Sequence, residues 1–202
     1  MTLVEDIVVK ILGHREYLSS LEEMRTFTAA RGEDTPDELW IVEHPPVYTL
    51  GQGAAVPKIA NGIPLVQSDR GGEITYHGPG QAVVYTLVDL ARRRIMVRQF
   101  VRLLEQAVID LLGGRGSRKP GAPGVYVDGA KIAALGIRVR RGRAYHGLAL
   151  NVDMDLSPFS TIDPCGYPGL AVTQTKTIGM TQTPADAGME LAGHIIRNLE
   201  DA

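Results

Sequence analysis

The chain has 202 residues, a length typical of one globular domain with a sizeable core. Lys and Arg number 21 against 23 Asp and Glu, and the resulting net charge of −2 argues against a protein that binds nucleic acid through bulk charge. One cysteine excludes an internal disulfide framework and a multi-cysteine zinc site, and no apolar run approaches the ~18 residues of a membrane span. We therefore expect a single cytoplasmic domain over residues 1–202 that binds neither nucleic acid nor a membrane.

Hydrophobic periodicity and turn residues predict the elements of the first half of the chain. A helix begins near Tyr17, repeats its apolar residues through Phe27 and is closed by Gly32. The predicted strands are Asp6–Ile11, Leu39–Val42, Val47–Leu50, Pro64–Gln67 and Gln81–Leu87. The last of these strands is apolar along most of its length, which suits a central strand.

The second half combines two amphipathic helices with a predicted hairpin. The first helix is apolar from Phe100 to Leu111, and the second starts near Pro184. The sequence predicts that the second helix packs through Met189, Ala192, Ile196 and Leu199. Turns at Asp128-Gly129 and Arg141-Gly142 separate the predicted strands Val125–Val127, Ile132–Val139 and Ala144–Val152. We predict an α/β (α+β) domain with a mixed, largely antiparallel sheet and flanking helices.

Cys165 lies in the segment Asp163–Gly169, where two prolines and two glycines prevent regular structure. A lone free cysteine is most often a small buried apolar residue. A thiol on a shaped loop can instead serve as a nucleophile if a nearby cation or base favours the thiolate. The sequence leaves both interpretations open.

Lys131 follows the Asp128-Gly129 turn and opens an apolar run of small residues. A lysine at the start of a strand is usually solvated, but poor hydration in such a run would lower its pKa and a nearby thiolate would raise it again. Lys131 could pair with Cys165 only if the fold brings them together, which spacing along the chain does not show.

The segment Arg70–Gln81 combines six polar side chains with four glycines. Glycines let backbone N–H groups approach a ligand, and Arg70, Tyr76 and His77 supply side-chain donors. A simple glycine-rich hairpin loop is the alternative. The segment fits neither G-x-G-x-x-G nor the P-loop pattern, so nucleotide binding is not supported.

His146 could act as a general base for Cys165 or could be a buried histidine with its hydrogen bonds satisfied. The five histidines show no metal-ligand spacing, so we expect no metal site. The segment Arg92–Arg143 holds 13 basic and three acidic residues, a charge of +10, and the rest of the chain carries −12. Such a segment would attract an acidic partner if its arginines share a surface.

Five segments taken together resemble the lipoate biosynthesis octanoyltransferases of the biotin/lipoate protein ligase superfamily. They run in order over most of the chain. The segments are Glu43–Gln52, Arg70–Gln81, Lys131–Val139, Tyr145–Asn151 and Pro164–Tyr167. The catalytic positions show no departure from the family pattern, and the chain after Gly179 is its least distinctive part.

The resemblance implies a biotin/lipoyl protein ligase-like fold and an acyltransferase that needs no cofactor. An octanoyl group, with lipoyl as a possible second cargo, would pass from acyl carrier protein to Cys165 as a thioester. It would then pass to a lysine of lipoyl domains in 2-oxoacid dehydrogenase complexes or of the glycine cleavage H protein. Lys131 would lower the cysteine pKa and shuttle protons. The implied acyl site consists of Arg70, Gly71, Gly72, Glu73, Ile74, Thr75, Tyr76, His77, Ala134, Leu135, Gly136, Gly147, Leu148 and Ala149.

Three other functions are compatible with parts of this sequence. An ATP-dependent lipoate- or biotin-protein ligase would share the fold but use no cysteine nucleophile. A thioesterase would release the acyl group to water. A non-enzymatic module that binds acyl carrier protein or lipoyl domains would not need Cys165.

Overall fold

The computed structural model describes residues 7–54, 61–162 and 169–202, which form two sheets and four α-helices. The strands are β1 (Val8–His14), β2 (Glu38–Glu43), β3 (Val47–Leu50), β4 (Leu65–Gln67), β5 (Ile74–His77), β6 (Gln81–Leu87), β7 (Ser117–Lys119), β8 (Ala122–Val127), β9 (Ala130–Arg140) and β10 (Arg143–Asn151). The helices are α1 (Tyr17–Ala30), α2 (Leu90–Arg93), α3 (Val97–Leu111) and α4 (Pro184–Glu200). Short 3₁₀ helices cover Ser157–Thr161 and Thr175–Ile178.

The larger sheet has seven strands in the order β1-β2-β6-β10-β9-β8-β7. Only its β1–β2 pair is parallel, and the remaining pairs are antiparallel. The smaller sheet has the order β4-β3-β5, in which β3 runs parallel to β4 and antiparallel to β5. The prediction of a mixed, largely antiparallel sheet with flanking helices is confirmed.

Side chains that alternate along the strands supply two cores on opposite faces of the larger sheet. On β2, Leu39 and Ile41 join a core that α3 and α4 cover. Trp40 and Val42 point to the other face, where they pack with α1. A third core lies against the smaller sheet and includes Phe159. None of the described helices has the length and apolar character that a membrane crossing requires.

The predicted bounds of β3 and β6 agree with the structure, whereas β1 starts at Val8 rather than Asp6, which lies outside the described residues. The sequence did not predict β5 or β7. β5 is short and follows a glycine-rich stretch, and β7 has only three residues, all of them exposed. The prediction that Met189 packs in the core is wrong, because this residue is 43% exposed. The helix instead buries the face that carries Leu191 and Ile195. Apolar residues occur at helical spacing on two neighbouring faces of this helix, so the spacing alone did not determine which face is buried.

Asp37 is a fully buried carboxylate at the centre of three arginines. Its Oδ1 accepts from Arg31, from Arg92 at 2.9 Å and from the backbone N–H of Asp89 at 2.8 Å, and its Oδ2 accepts from Arg93 at 2.5 Å. Burial acts to raise the pKa of this carboxyl, but the hydrogen bonds from Arg31, Asp89 and Arg93 outweigh burial and hold the pKa below its ordinary value. The basic segment is therefore not one free surface, because two of its arginines are engaged here.

We expect Asp37→Asn to destabilise the fold by about 3–5 kcal/mol, because it leaves buried guanidinium groups without their carboxylate. For a chain of this size that loss lowers the melting temperature by roughly 10 °C, measured by circular dichroism. Asp34→Asn, at an exposed neighbouring position, is the matched control and should change the melting temperature by less than about 2 °C. A melting temperature for Asp37→Asn equal to that of the control would contradict the role of the cluster.

Candidate active site

One cavity lies between the two sheets and is lined by residues of α1, β5, β6, β9 and β10. We call it the main cavity because most of the predicted site residues line it. Lys131 lines it, together with 12 of the 14 predicted acyl-site residues. These 12 are Arg70, Gly72, Glu73, Ile74, Thr75, His77, Ala134, Leu135, Gly136, Gly147, Leu148 and Ala149. The fold therefore brings together segments that are far apart in the sequence.

The remaining two predicted residues lie next to this cavity rather than in its wall. Gly71 lines an adjoining cavity on β9, where its backbone N–H donates to the Ile137 carbonyl at 3.0 Å. The ring of Tyr76 packs against Tyr48 and Phe159 in the core of the smaller sheet, with centroid distances of 5.5 Å to each. Tyr76 is buried there because the alternation along β5 directs it away from His77.

Arg70 ties the glycine-rich loop to β3. Its guanidinium is buried and donates to the Thr49 carbonyl at 2.6 Å and to the Thr49 hydroxyl at 2.9 Å. Close contact between this loop and β9 needs a glycine at 136, because a Cβ there would lie 2.9 Å from the Gly71 carbonyl oxygen. The loop thus forms one wall of the cavity through backbone contacts.

Lys131 is almost fully buried at the start of β9. Its Nζ donates to the Pro123 carbonyl at 3.0 Å and lies 5.4 Å from the centre of the Tyr126 ring. A Cβ at Gly124 would approach the Lys131 Cε to 2.6 Å, so the lysine needs a glycine beside it. These contacts direct the ammonium group of Lys131 into the cavity wall as a fixed donor.

Cys165 lies outside the described residues. The structure describes the chain on both sides of it, up to residue 162 and again from residue 169. Lys131 donates its backbone N–H to Ala171 at 2.8 Å and accepts from the N–H of Thr173 at 2.9 Å. Phe159 and Val172, one on each side of Cys165 in the sequence, both line the main cavity.

His146 is buried, and its Nε2 lies 2.8 Å from Asp69 Oδ1. Burial lowers the pKa of His146, while the hydrogen bond to Asp69 acts in the opposite direction. Its φ of 62° falls in the left-handed region, which few residues other than glycine adopt. His146 is therefore a buried histidine whose hydrogen-bond partner is Asp69. It also lines the cavity.

Two further buried histidines belong to the site: His77 lines the cavity, and His44 packs behind it, 5.8 Å away between ring centroids. His44 Nδ1 donates to the Arg15 carbonyl at 2.7 Å, so its Nε2 is free to accept from the Tyr85 hydroxyl at 2.7 Å. His77 Nδ1 bonds to the Gln81 side-chain oxygen at 2.7 Å. Burial lowers the pKa of His44 to about 4, and burial together with the neighbouring His44 lowers that of His77 to about 3.

Sequence reasoning missed several residues of the cavity wall, because nothing in their local pattern separates them from core residues. They are Tyr17, Val83, Tyr85, Asn151, Phe159 and Val172. The Tyr17 ring stacks on His77 with a centroid distance of 5.8 Å, and its hydroxyl bonds to Ser68 at 2.7 Å. A tyrosine whose spacing fits a helix core therefore also contributes to the floor of the site.

The comparisons with known proteins give first the class of the domain. Residues 16–189 match the model of the lipoyl protein ligase A/B catalytic domain. A solved bi-partite lipoate protein ligase from Thermoplasma acidophilum superposes with a TM-score of 0.72 at 17% identity, over 97% of this chain and 83% of that chain. The fold is therefore that of the biotin/lipoyl protein ligase-like catalytic domains.

Sequence relatives define the family more narrowly. The octanoyltransferase of Dechloromonas aromatica is 56% identical over 198 residues, which cover 96% of this chain and 97% of the relative. That of Aromatoleum aromaticum is 59% identical over 190 residues, which cover 92% and 82%. The chain belongs to the octanoyltransferase family and is an acyltransferase of protein lipoylation.

The buried histidines predict a specific loss of stability in mild acid. Their folded pKa values lie below the unfolded value of about 6.5, so they stabilise the fold fully above that pH and less as the pH falls. Between pH 7 and pH 5, His44 and His77 should each cost about 2 kcal/mol of unfolding free energy. Carboxylates titrate mainly below this window.

Urea unfolding at pH 7 and pH 5 measures this loss, and His77→Gln should make it smaller by about 2 kcal/mol. His14→Gln serves as the control, because the His14 side chain is 74% exposed, and it should leave the loss unchanged. If His77→Gln loses as much stability on acidification as the wild type, His77 is not held neutral in the folded protein.

Proposed function

We propose that this octanoyltransferase takes its acyl group from octanoyl-acyl carrier protein and holds it on Cys165 as a thioester. The acyl group then passes to the ε-amine of a lysine on a lipoyl domain. The observation that carries this proposal is the buried amine of Lys131 at the wall of a largely apolar cavity, beside the segment 171–173 that follows Cys165 in the chain. The Thermoplasma acidophilum ligase with a similar fold is described together with its E2 lipoyl domain, which supports a lipoyl domain as the acceptor.

In the first half of the proposed reaction, the Cys165 thiolate attacks the thioester carbonyl carbon. The carbon–sulfur bond to the phosphopantetheine arm breaks, and the departing thiolate takes a proton from the Lys131 ammonium group. One thioester replaces another, so the step is nearly balanced in free energy and needs no external activation. The fixed Pro123 contact keeps the Lys131 amine in one position for this transfer.

In the second half, the neutral ε-amine of the acceptor lysine attacks the acyl-Cys165 carbonyl. The Cys165 sulfur leaves, and the Lys131 amine accepts the proton that the attacking nitrogen loses. The product is an amide, which is more stable than the thioester, so the reaction runs toward the acylated lipoyl domain. Lipoyl domains of 2-oxoacid dehydrogenase complexes and the glycine cleavage H protein are the proposed acceptors, and lipoyl-acyl carrier protein is a possible second donor.

We assign the acyl chain to the main cavity. Ala134, Leu148 and Ala149 supply small or apolar side chains, and the loop from Arg70 to His77 closes the other side. Burial lowers the pKa of His44 and His77, so these histidines place no formal charge beside an eight-carbon chain near neutral pH.

Intact-mass analysis after incubation with octanoyl-acyl carrier protein tests the covalent step. The wild type should gain one octanoyl group without ATP, and Cys165→Ser should gain none because it lacks the thiol nucleophile. Addition of the lipoyl domain should remove the group from Cys165 and place it on the domain. A wild type that acquires no acyl group, or that transfers only when ATP is present, would exclude this mechanism in favour of a ligase.

Thiol alkylation tests the proposed role of Lys131, and the single cysteine makes the signal specific for Cys165. An ammonium beside the thiol favours the thiolate, so alkylation should be rapid below the ordinary thiol pKa of about 8.5. Lys131→Ala should move the pH profile of alkylation upward by about one unit or more. Lys176→Ala, at an exposed lysine, should leave the profile in place; equal profiles for all three proteins would remove Lys131 from the activation of the thiol.

A further inference from the structure

A second cavity of about 120 Å³ lies between α1 and the end of the β9–β10 hairpin, apart from the main cavity. Four arginines line it, and they come from both elements. The lining residues are Arg25, Thr28, Ala29, Arg140, Arg141, Arg143 and Tyr145. Ten residues of extended strand, roughly 30 Å, separate Arg141 from Lys131, so the hairpin turn lies far from that lysine. We call this space the arginine cavity.

The arginine cavity carries an excess of positive charge. Arg25 pairs with Asp69 at 3.1 Å, and Arg143 pairs with Asp89 at 3.3 Å. Arg140 and Arg141 make no ion pair with any of the residues that the structure describes. Four guanidinium groups therefore face two carboxylates, which leaves two positive charges to be balanced by a ligand or by salt.

The backbone that carries these arginines is held in place. Arg141 and Gly142 form a tight turn with φ of 51° and 78°, and the Gly142 carbonyl accepts from the Ala91 N–H at 3.1 Å. Val88 and Ala144 exchange two further backbone hydrogen bonds next to the turn. A ligand that binds here therefore orders little additional backbone, which lowers the entropic cost of binding.

We propose that the arginine cavity binds a phosphate group, a role separate from the acyl transfer at the main cavity. Guanidinium forks match the oxygen geometry of phosphate and can donate two parallel hydrogen bonds to it. A phosphate dianion also neutralises the two uncompensated positive charges. Arg140 and Arg141 supply the charge and the donors.

The test is calorimetric titration of the intact protein with inorganic phosphate at constant ionic strength, with chloride as the reference anion. Arg140→Gln combined with Arg141→Asn removes both free charges, and asparagine tolerates the left-handed backbone of the turn. We expect saturable binding of one phosphate to the wild type and at least a tenfold increase of Kd in the double variant.

Arg98→Gln is the matched control, because Arg98 is an exposed arginine of α3 that does not line the arginine cavity, and it should leave Kd unchanged. Glycerol 3-phosphate distinguishes the sources of the phosphate group: tighter binding than inorganic phosphate indicates an organic phosphate monoester, and equal binding indicates the free anion. Binding that does not saturate in the wild type, or a Kd unchanged in the double variant, would overturn the proposal. Thermal melting of each variant confirms that it is folded.

Discussion

The backbone contact between the loop at Gly71 and strand β9 is the constraint on which the rest of the site depends. The Gly71 N–H bonds to the Ile137 carbonyl, and Gly136 has no side chain to hold the two segments apart. The same loop is fastened to the smaller sheet by Arg70 through Thr49. Because one loop contacts both sheets, it fixes their separation and so the width of the cavity between them.

Local signals were sufficient to predict α1, β6, β9 and β10, four of the five elements that line the site. Asp128 and Gly129 have φ of 49° and 83°, as expected for the tight turn that the sequence pattern indicated. The stretch around β5 was harder to predict, because its glycines conceal a strand of four residues. Pairing with β3 determines that conformation, and the intrinsic propensities of the β5 residues give no information about the partner strand.

The residues that line the site could be predicted only where the family resemblance identified distant segments as parts of one site. Tyr17 and Tyr85 are 68 positions apart, and each has the spacing of an ordinary core residue. Both line the cavity, because α1 packs against the face of the larger sheet to which Tyr85 of β6 points. The assignment of the Asp69 carboxylate to His146 likewise depends on the tertiary fold, since 77 positions separate them.

The floor of the cavity contains polar side chains in apolar surroundings, and these side chains are hydrogen-bonded to one another. Arg70 donates to the Thr49 hydroxyl, which lies 3.5 Å from His77 Nε2, and His77 contacts Gln81 in turn. Gln81 then donates to the Asn151 side chain at 3.0 Å. A continuous chain of this kind fixes rotamers and tautomers together, so the floor behaves as a rigid surface.

The two edges of the larger sheet have a consequence for the behaviour of the protein at high concentration. At one edge, β7 has three exposed residues, two of them basic, and at the other edge β1 carries Lys10 and an irregular register between Ile11 and Gly13. Short, charged or irregular edge strands pair poorly with the edge of another sheet. The seven-stranded sheet is thereby protected against growth by strand addition, and the chain can remain dispersed without a closed barrel.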